Sequence, residues 1–298
     1  MTRSLEPTAL NGHHPQFVRQ TTIRAAAAAT RQRTRTPRVS VVLPTLNEAK
    51  NLEWVLTRMP ADLHEVVLVD GRSTDDTVAE AKRLRPDVRV VLQSAKGKGA
   101  AMALGFANVT GDIAVVIDAD GSMDPAEIPG MVGALLSGAD VVKGSRAAAG
   151  GGSLDLTALR RAGNWGLTFL ANRIYHQHWR ELCYGYAAFW TDVLPLLGIQ
   201  EIVETAEQTH EMVYGHGFEI EAILFCRAAR ANLRVAEVFS FEHERRNGES
   251  NLATWSDGWR VLTAVRKERR YRFADAMVAR NRRTYPVVPF VHGSQDAA

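Results

Sequence analysis

At 298 residues the chain can bury a sizeable core, either as one α/β domain with additions or as two domains. Its 46% hydrophobic and 23% charged content excludes a disordered or fibrous chain, and two cysteines exclude a disulfide framework or a cysteine-based zinc site and fit a reducing cytoplasm. The net charge of +3 is uneven: residues 1–38 hold seven Arg against one Glu, a surplus of six, so the remainder carries −3.

That basic arm reads as mostly disordered. It shows no signal-peptide core, and no apolar run in the chain reaches the ~18–20 residues that span a bilayer. A second basic segment, "RKERRYRFADAMVARNRRTYP", marks a C-terminal extension expected over 263–298. Arms of this kind suit an anionic membrane surface, nucleic acid or plain solvation, and single out none of them.

Order is expected from Val39. "VSVVLP" is a short apolar run ended by Pro44, the pattern of a strand buried on both faces. Leu52, Val55, Leu56 and Met59 recur at helical spacing. "EVVLVD" is a second buried strand, ending in Asp70, and the run from Ser73 to Asp76 has a capping-box pattern opening a helix to about Leu84. "VRVVLQ" predicts a third strand, Gly97–Gly105 a glycine-punctuated turn into a small-residue helix, and "DIAVVID" a fourth strand. A helix follows from Pro125 to about Leu136, then a strand in "DVVKGSR", and the glycines at 150–152 predict a mobile loop. Leu156, Leu159, Gly163, Leu167, Leu170 and Ile174 predict a core-packed amphipathic helix, its basic and aromatic flank leaving a membrane-interface helix as the alternative. "GFEIEAILFCRAARANLRVAEVFS" reads as helix then strand, and "HERRNGESNL" as a polar loop. Strands alternating with helices imply a mostly parallel sheet flanked by helices, with ligands beyond the carboxyl ends of its strands.

At those ends sit the acids. Asp118 and Asp120 are two apart, so in extended chain they point to one side, ~6–7 Å apart, and like charges so close call for a cation between them. A solvated turn capping the next helix explains Asp124, but neither Asp118 nor Asp120. Hard cations such as Mg²⁺ or Mn²⁺ take such oxygens and leave positions open for phosphate. A dinucleotide site would need G-x-G-x-x-G where this chain reads "PTLNEAKN", and "SAKGKGAAM" lacks the hydroxyl that a P-loop carries after its lysine.

The ordered set "PTLNE", "VDGRSTDDT", "KGKGAA", "DADGSMDP" and "GSR" resembles the family 2 glycosyltransferases, in particular those similar to dolichol-phosphate mannose synthase and bacterial polyprenyl-phosphate sugar transferases. The likeness spans about Val39 to Arg260. It implies a GT-A fold in one domain, with a nucleotide-sugar-binding half over 39–150 and an acceptor-side half over 151–262. It also implies a UDP- or GDP-sugar donor, Mg²⁺ or Mn²⁺, and inversion at the anomeric carbon.

Carried over by position, Pro44, Asn47 and Glu48 line the nucleoside pocket, and Asp70, Gly71 and Ser73 hold the base. Lys98, Ala119 and Arg146 lie near the donor, although Lys98 as a solvated lysine and Arg146 as a structural ion pair are equally ordinary. Asp118 meets ribose or metal, and Asp120 is the metal ligand. Glu181 stands where relatives carry Asp in an acceptor-side motif with Tyr184. For a hydroxyl acceptor Glu219, Glu221 and Glu181 are candidate bases, with one of Glu219 and Glu221 expected to face the site. "FEHERRNGESNL" supplies His243 as an added metal ligand, and Arg245, Arg246 and Ser250 for an anionic acceptor or the leaving diphosphate. The expected acceptor is polyprenyl phosphate, with peripheral contact at the inner face of a membrane. A soluble small-molecule acceptor and a non-catalytic nucleotide-sugar sensor are the alternatives; nucleic acid is not expected, and self-association is left open.

Overall fold

The computed structural model describes Arg33 and residues 36–271, apart from His210 and residues 249–252. Its first strand, β1 (Val39–Thr45), has Val41, Val42 and Leu43 fully buried, as expected of a strand covered on both faces. Around it, β2 (Glu65–Asp70), β3 (Arg89–Leu92) and β4 (Ile113–Val116) are parallel, β2 and β4 flanking β1. Further strands β5 (Val141–Ser145), β7 (Ala187–Trp190) and β8 (Val235–Phe239) complete a seven-stranded sheet in the order β3-β2-β1-β4-β7-β5-β8. β7 runs antiparallel to both β4 and β5, while β8 is parallel to β5. The sheet is therefore mostly parallel, and Asp70 and Asp118 emerge at the same edge, two strand spacings or roughly 10 Å apart.

Helices α1 (Leu52–Thr57), α2 (Thr77–Leu84), α3 (Lys98–Asn108) and α4 (Ile128–Leu136) connect the first strands. The capping box expected at 73–76 is replaced by other bonds. Asp75 accepts from the Thr77 N–H at 3.0 Å, while the Ser73 hydroxyl accepts from the Asn47 N–H at 2.9 Å and so joins the loops after β1 and β2. The glycines of "KGKG" have a packing reason. A side chain at Gly97 or Gly99 would collide with the backbone of the 215–217 loop, whose His216 carbonyl accepts from the Gly99 N–H at 2.7 Å. That bond commits the first turn of α3 to protein contact.

The second half adds α5 (Ala158–Tyr175), α6 (Ile199–Thr209), α7 (Ile220–Arg230) and α8 (Thr254–Lys267). α7 is buried along almost its whole length, its Phe225 stacking on Phe189 of β7 at 6.4 Å, and α5 and α8 pack on each other and against it. No described helix is long and apolar enough to cross a membrane.

Four further expectations need correction. Gly152 and Ser153 form a short strand, β6, paired with β9 (Phe241–Glu242), because Gly152 lets the Phe241 ring lie against the backbone. α5 is core-packed only in part: Leu167, Leu170, Ala171, Ile174 and Tyr175 pack on the core as expected, but Leu159 of the expected face is exposed, and so are Trp165 and Phe169 on the outward side. The boundary at 263 falls inside α8, and the turn that follows it is held to α7 by a buried Arg227–Glu268 pair at 2.9 Å. Arg33, assigned to the disordered arm, contacts Asp140 at 2.6 Å and Asp192 at 3.0 Å and lies over the Trp190 ring. Residues 1–32, 34–35 and 272–298, which carry much of both basic segments, lie outside the described residues.

Candidate active site

Beyond the carboxyl edge of the sheet, the loops after β1 and β2 build one wall. Asn47 is left-handed (φ 57°), a conformation asparagine tolerates, and its side-chain carbonyl accepts from the Thr74 N–H at 2.8 Å. Asp70 is 3% exposed, and both its carboxylate oxygens accept from the Ser73 N–H at 3.2 Å. Gly71 donates to the Thr45 carbonyl at 2.8 Å, so Asp70, Gly71 and Ser73 form one turn beside half-buried Pro44. Glu48, half-buried and bonded by Asn51, has its carboxyl pushed up to about 7 by burial, with the negative charge of Asp120 adding to the effect.

The centre is a carboxylate cluster threaded with cations. β4 ends at Val116, and two residues on, Asp118 accepts from the Lys98 ammonium at 2.8 Å. Lys98 also reaches Glu221, in the first turn of α7, at 2.9 Å. Burial pushes the Asp118 carboxyl up; Lys98 opposes this, while Asp120 and Glu221 add to it. Burial opposes the charge on Lys98 too, but Asp118 and Glu221 outweigh it and hold the ammonium above its usual range. Ala119 is buried between the two aspartates. Asp120 is oriented on one side by the Ser122 N–H and hydroxyl (3.0 and 2.7 Å) and on the other by Arg245 at 2.9 Å.

The 243–246 segment is docked on this turn through its backbone. The His243 N–H donates to the Ser122 carbonyl at 2.8 Å, and that of Arg246 to the Asp120 carbonyl at 3.2 Å. Side chains go elsewhere: His243 lies against Phe241 and Trp54, and the Arg246 guanidinium sits over Trp54 at 4.8 Å. Among the described residues no three His, Cys, Asp or Glu side chains converge as a metal-binding group. His243 is thus not brought in as a third ligand; the aromatic contacts decide its orientation. Oxygen donors alone remain, and two adjacent carboxylates suit a hard divalent cation by donor type. Arg245 occupies one side of Asp120, so a metal reaching that oxygen meets a competing cation.

From this cluster a cavity of about 400 Å³ runs outward between α5 and α8. Its inner end is lined by Lys98, Asp118, Glu221 and Arg245, its outer part by Leu156, Leu159, Leu167, Trp255 and Trp259. Arg146 and Tyr184 form part of the wall. Arg146 is consumed by protein contacts: Glu181 accepts from its N–H and Nε at 2.8 Å each, Glu242 from Nη1 at 2.8 Å, and the Cys183 carbonyl from Nη2 at 2.8 Å. Its ordinary structural reading is therefore the one the geometry supports. Glu181, 1% exposed and also bonded by Asn164 at 2.7 Å, braces Arg146 and has no open path to an acceptor. The Tyr184 ring lies under the Arg146 guanidinium at 4.6 Å, with its hydroxyl 3.0 Å from that of Ser240.

Of the paired candidates Glu219 and Glu221, only Glu221 lines the cavity. Glu219 is buried and accepts from the Gly215 N–H at 3.0 Å, bracing the loop that caps α3. Ser250 lies outside the described residues. Two features of the outer cavity, Trp255 and Trp259, were not singled out in the sequence, although their four-residue spacing puts both on one helix face.

Comparison with known proteins places this arrangement in a class. The Glycosyl transferase family 2 pattern matches residues 40–197, more than half of the chain. The chain belongs to that family and has the GT-A fold. Among curated proteins it is 44% identical over 108 residues to an uncharacterized glycosyltransferase of Mycobacterium tuberculosis, a match covering 36% of this chain and 48% of that one. It is 39% identical over 121 residues to the dolichol-phosphate mannosyltransferase of Pyrococcus furiosus, covering 38% and 34%. The match to the undecaprenyl-phosphate mannosyltransferase of Micrococcus luteus is longer, 29% over 238 residues, covering 77% of this chain and 93% of that one. The first of these relatives are thus matched over half their length or less. Among solved structures, the glucosyl-3-phosphoglycerate synthase of Mycobacterium tuberculosis, in complex with Mn²⁺, UDP-glucose and phosphoglyceric acid, superimposes with a TM-score of 0.61 at 23% identity, covering 82% of each chain.

Proposed function

We propose that this chain moves a sugar, with inversion, from a UDP- or GDP-sugar to a polyprenyl phosphate. The observation that carries the acceptor is the two-ended cavity, charged at Lys98, Asp118, Glu221 and Arg245 and apolar from Leu156 to Trp259. A phosphate head with a long apolar tail has that polarity, and two of the relatives bear polyprenyl-phosphate sugar transfer in their names.

The donor nucleoside would lie against the Asp70 turn and Asn47, with its diphosphate directed at Asp118 and Asp120. These two carboxylates would hold Mg²⁺ or Mn²⁺, which supplies charge neutralisation to the departing diphosphate. An oxygen of the acceptor phosphate attacks the anomeric carbon from the opposite face, forming the new C–O bond as the bond to the nucleoside diphosphate breaks. A phosphate oxygen is already anionic, so no proton need be removed. This fits the state of Glu221: a carboxylate paired with Lys98 at 2.9 Å is a poor general base. Arg245 is the group placed to meet the phosphate charge.

The test is transfer from isotope-labelled UDP- and GDP-sugars to a short-chain polyprenyl phosphate, with Mn²⁺ and with EDTA. Label entering the organic phase, dependent on metal and lost in Asp120→Asn, supports the reading. Label passing only to water-soluble acceptors would move it to a soluble-acceptor enzyme. Donor binding without transfer to any acceptor would favour a sensor.

A further inference from the structure

Exposed apolar side chains are ordinary when scattered and informative when gathered. Here they gather. On α5, Leu159, Ala162, Gly166 and Phe169 recur at intervals of three, four and three residues along one outward face, and Trp165 stacks on Phe169 at 5.9 Å. No side chain stands over Gly163 or Gly166, which leaves the strip open. On neighbouring α8, Trp255 is 80% and Trp259 68% exposed; on α5, Trp165 is 71% and Phe169 58% exposed. Taking ~200 Å² for a whole aromatic side chain, these four present on the order of 500 Å², before Leu154 and Leu159 are added. Three of the six tryptophans of the chain thus face solvent around the mouth of the cavity.

The charges around this strip are mostly of one sign, the exception being Asp155 just before α5, which Arg160 meets at 4.0 Å. α5 and α8 together carry Arg160, Arg161, Arg173, Arg260, Arg266 and Lys267 against a single acid, Asp257, which is buried and accepts from the Ala253 N–H at 2.8 Å. A second copy of the chain is a poor occupant, because an antiparallel two-fold contact about the middle of α5 would bring Arg161 of one copy towards Arg173 of the other, like charge against like. Tryptophan with an arginine fringe is the composition that settles at the boundary between headgroups and acyl chains of an anionic bilayer.

We propose that the α5–α8 face is a peripheral docking surface for anionic lipid bilayers, seated by Trp165, Phe169, Trp255 and Trp259, with the basic fringe on the headgroups. Docked this way, the apolar end of the cavity opens at the level of the acyl chains, and an isoprenoid would enter without crossing water. The purpose of the docking rests on the polyprenyl-phosphate reading; the docking itself does not.

The test therefore uses binding, with no donor or acceptor present. The full chain is sedimented with vesicles of phosphatidylcholine, with and without phosphatidylglycerol, and its tryptophan emission is followed with brominated lipids. Binding is expected to be roughly tenfold tighter to the anionic vesicles and to bring quenching by the brominated chains. Trp165→Ser/Phe169→Ser, which changes two exposed residues outside the cavity lining, should weaken it roughly tenfold while thermal stability and nucleotide-sugar binding stay unchanged. Equal vesicle binding by wild type and double variant would overturn the proposal, as would no binding by wild type. So would a wild-type dimer in light scattering that the double variant abolishes. If vesicles bind but no sugar reaches polyprenyl phosphate, the acceptor reading fails and the docking surface stands.

Discussion

Glu181→Gln separates a structural glutamate from a chemical one. The Glu181 carboxylate, its side chain 2% exposed, accepts from the Arg146 backbone and guanidinium and from Asn164, and Arg146 is itself only 9% exposed. A glutamine there keeps one acceptor oxygen but turns an amide donor toward a buried guanidinium. Breaking a buried pair on one side costs about 3–5 kcal/mol, because the remaining charge is left poorly compensated. Arg146 keeps Glu242 at 2.8 Å, so the lower end, about 3 kcal/mol, is expected. In a chain of this size that lowers Tm by roughly 6–12 °C. The assay is thermal and urea unfolding of Glu181→Gln beside Glu221→Gln. For Glu221→Gln a smaller loss than for Glu181→Gln is expected, since Lys98 keeps Asp118 at 2.8 Å and the repulsion between Glu221 and Asp118 is relieved. Activity should fall in Glu221→Gln by more than its smaller drop in Tm explains, and in Glu181→Gln in step with the lost stability. A Glu181→Gln variant with wild-type Tm and no turnover would refute the bracing role and return Glu181 to the chemistry.

Asp120→Asn is expected to lower turnover roughly 100- to 1,000-fold while nucleotide-sugar binding in EDTA, read by thermal shift, stays near wild type. Arg245→Gln removes the cation that competes for an Asp120 oxygen at 2.9 Å. Mn²⁺ affinity measured by electron paramagnetic resonance should rise severalfold, and turnover should fall; weaker Mn²⁺ binding would contradict the competition. Burial, aided by Asp120, raises the Glu48 carboxyl from its ordinary 4.5 to about 7. Between those pH values the folded state keeps a proton that the unfolded chain has lost, so this contribution is complete below about pH 4.5 and gone above about 7. Glu48→Gln should therefore flatten the decline of Tm across that window, and an unchanged slope would count against the raised pKa.

The sequence by itself determined what depends on near neighbours. Buried β-branched runs ending in Asp70 and in Asp118-Ala119-Asp120 mark parallel strands whose carboxyl ends face one edge, because apolar periodicity and strand spacing are properties of a few consecutive residues. What only the tertiary structure decided depends on residues far apart in the chain. Arg146 could not be assigned to a ligand or to a wall until Glu181 and Glu242, 35 and 96 residues away, were seen to hold it. Glu219 and Glu221 look alike in sequence, yet one braces the 215–217 loop and the other meets Lys98, 123 residues distant. α5 is the clearest case. Its apolar spacing picks out the face whose Leu167, Leu170 and Ile174 pack against the core, but not the second, outward apolar face, since a protein core and a lipid surface present the same apolar demand to a helix. Only the packing of α5 and α8 shows Trp165 and Phe169 turned to solvent, with Trp255 and Trp259 exposed at the mouth of the cavity.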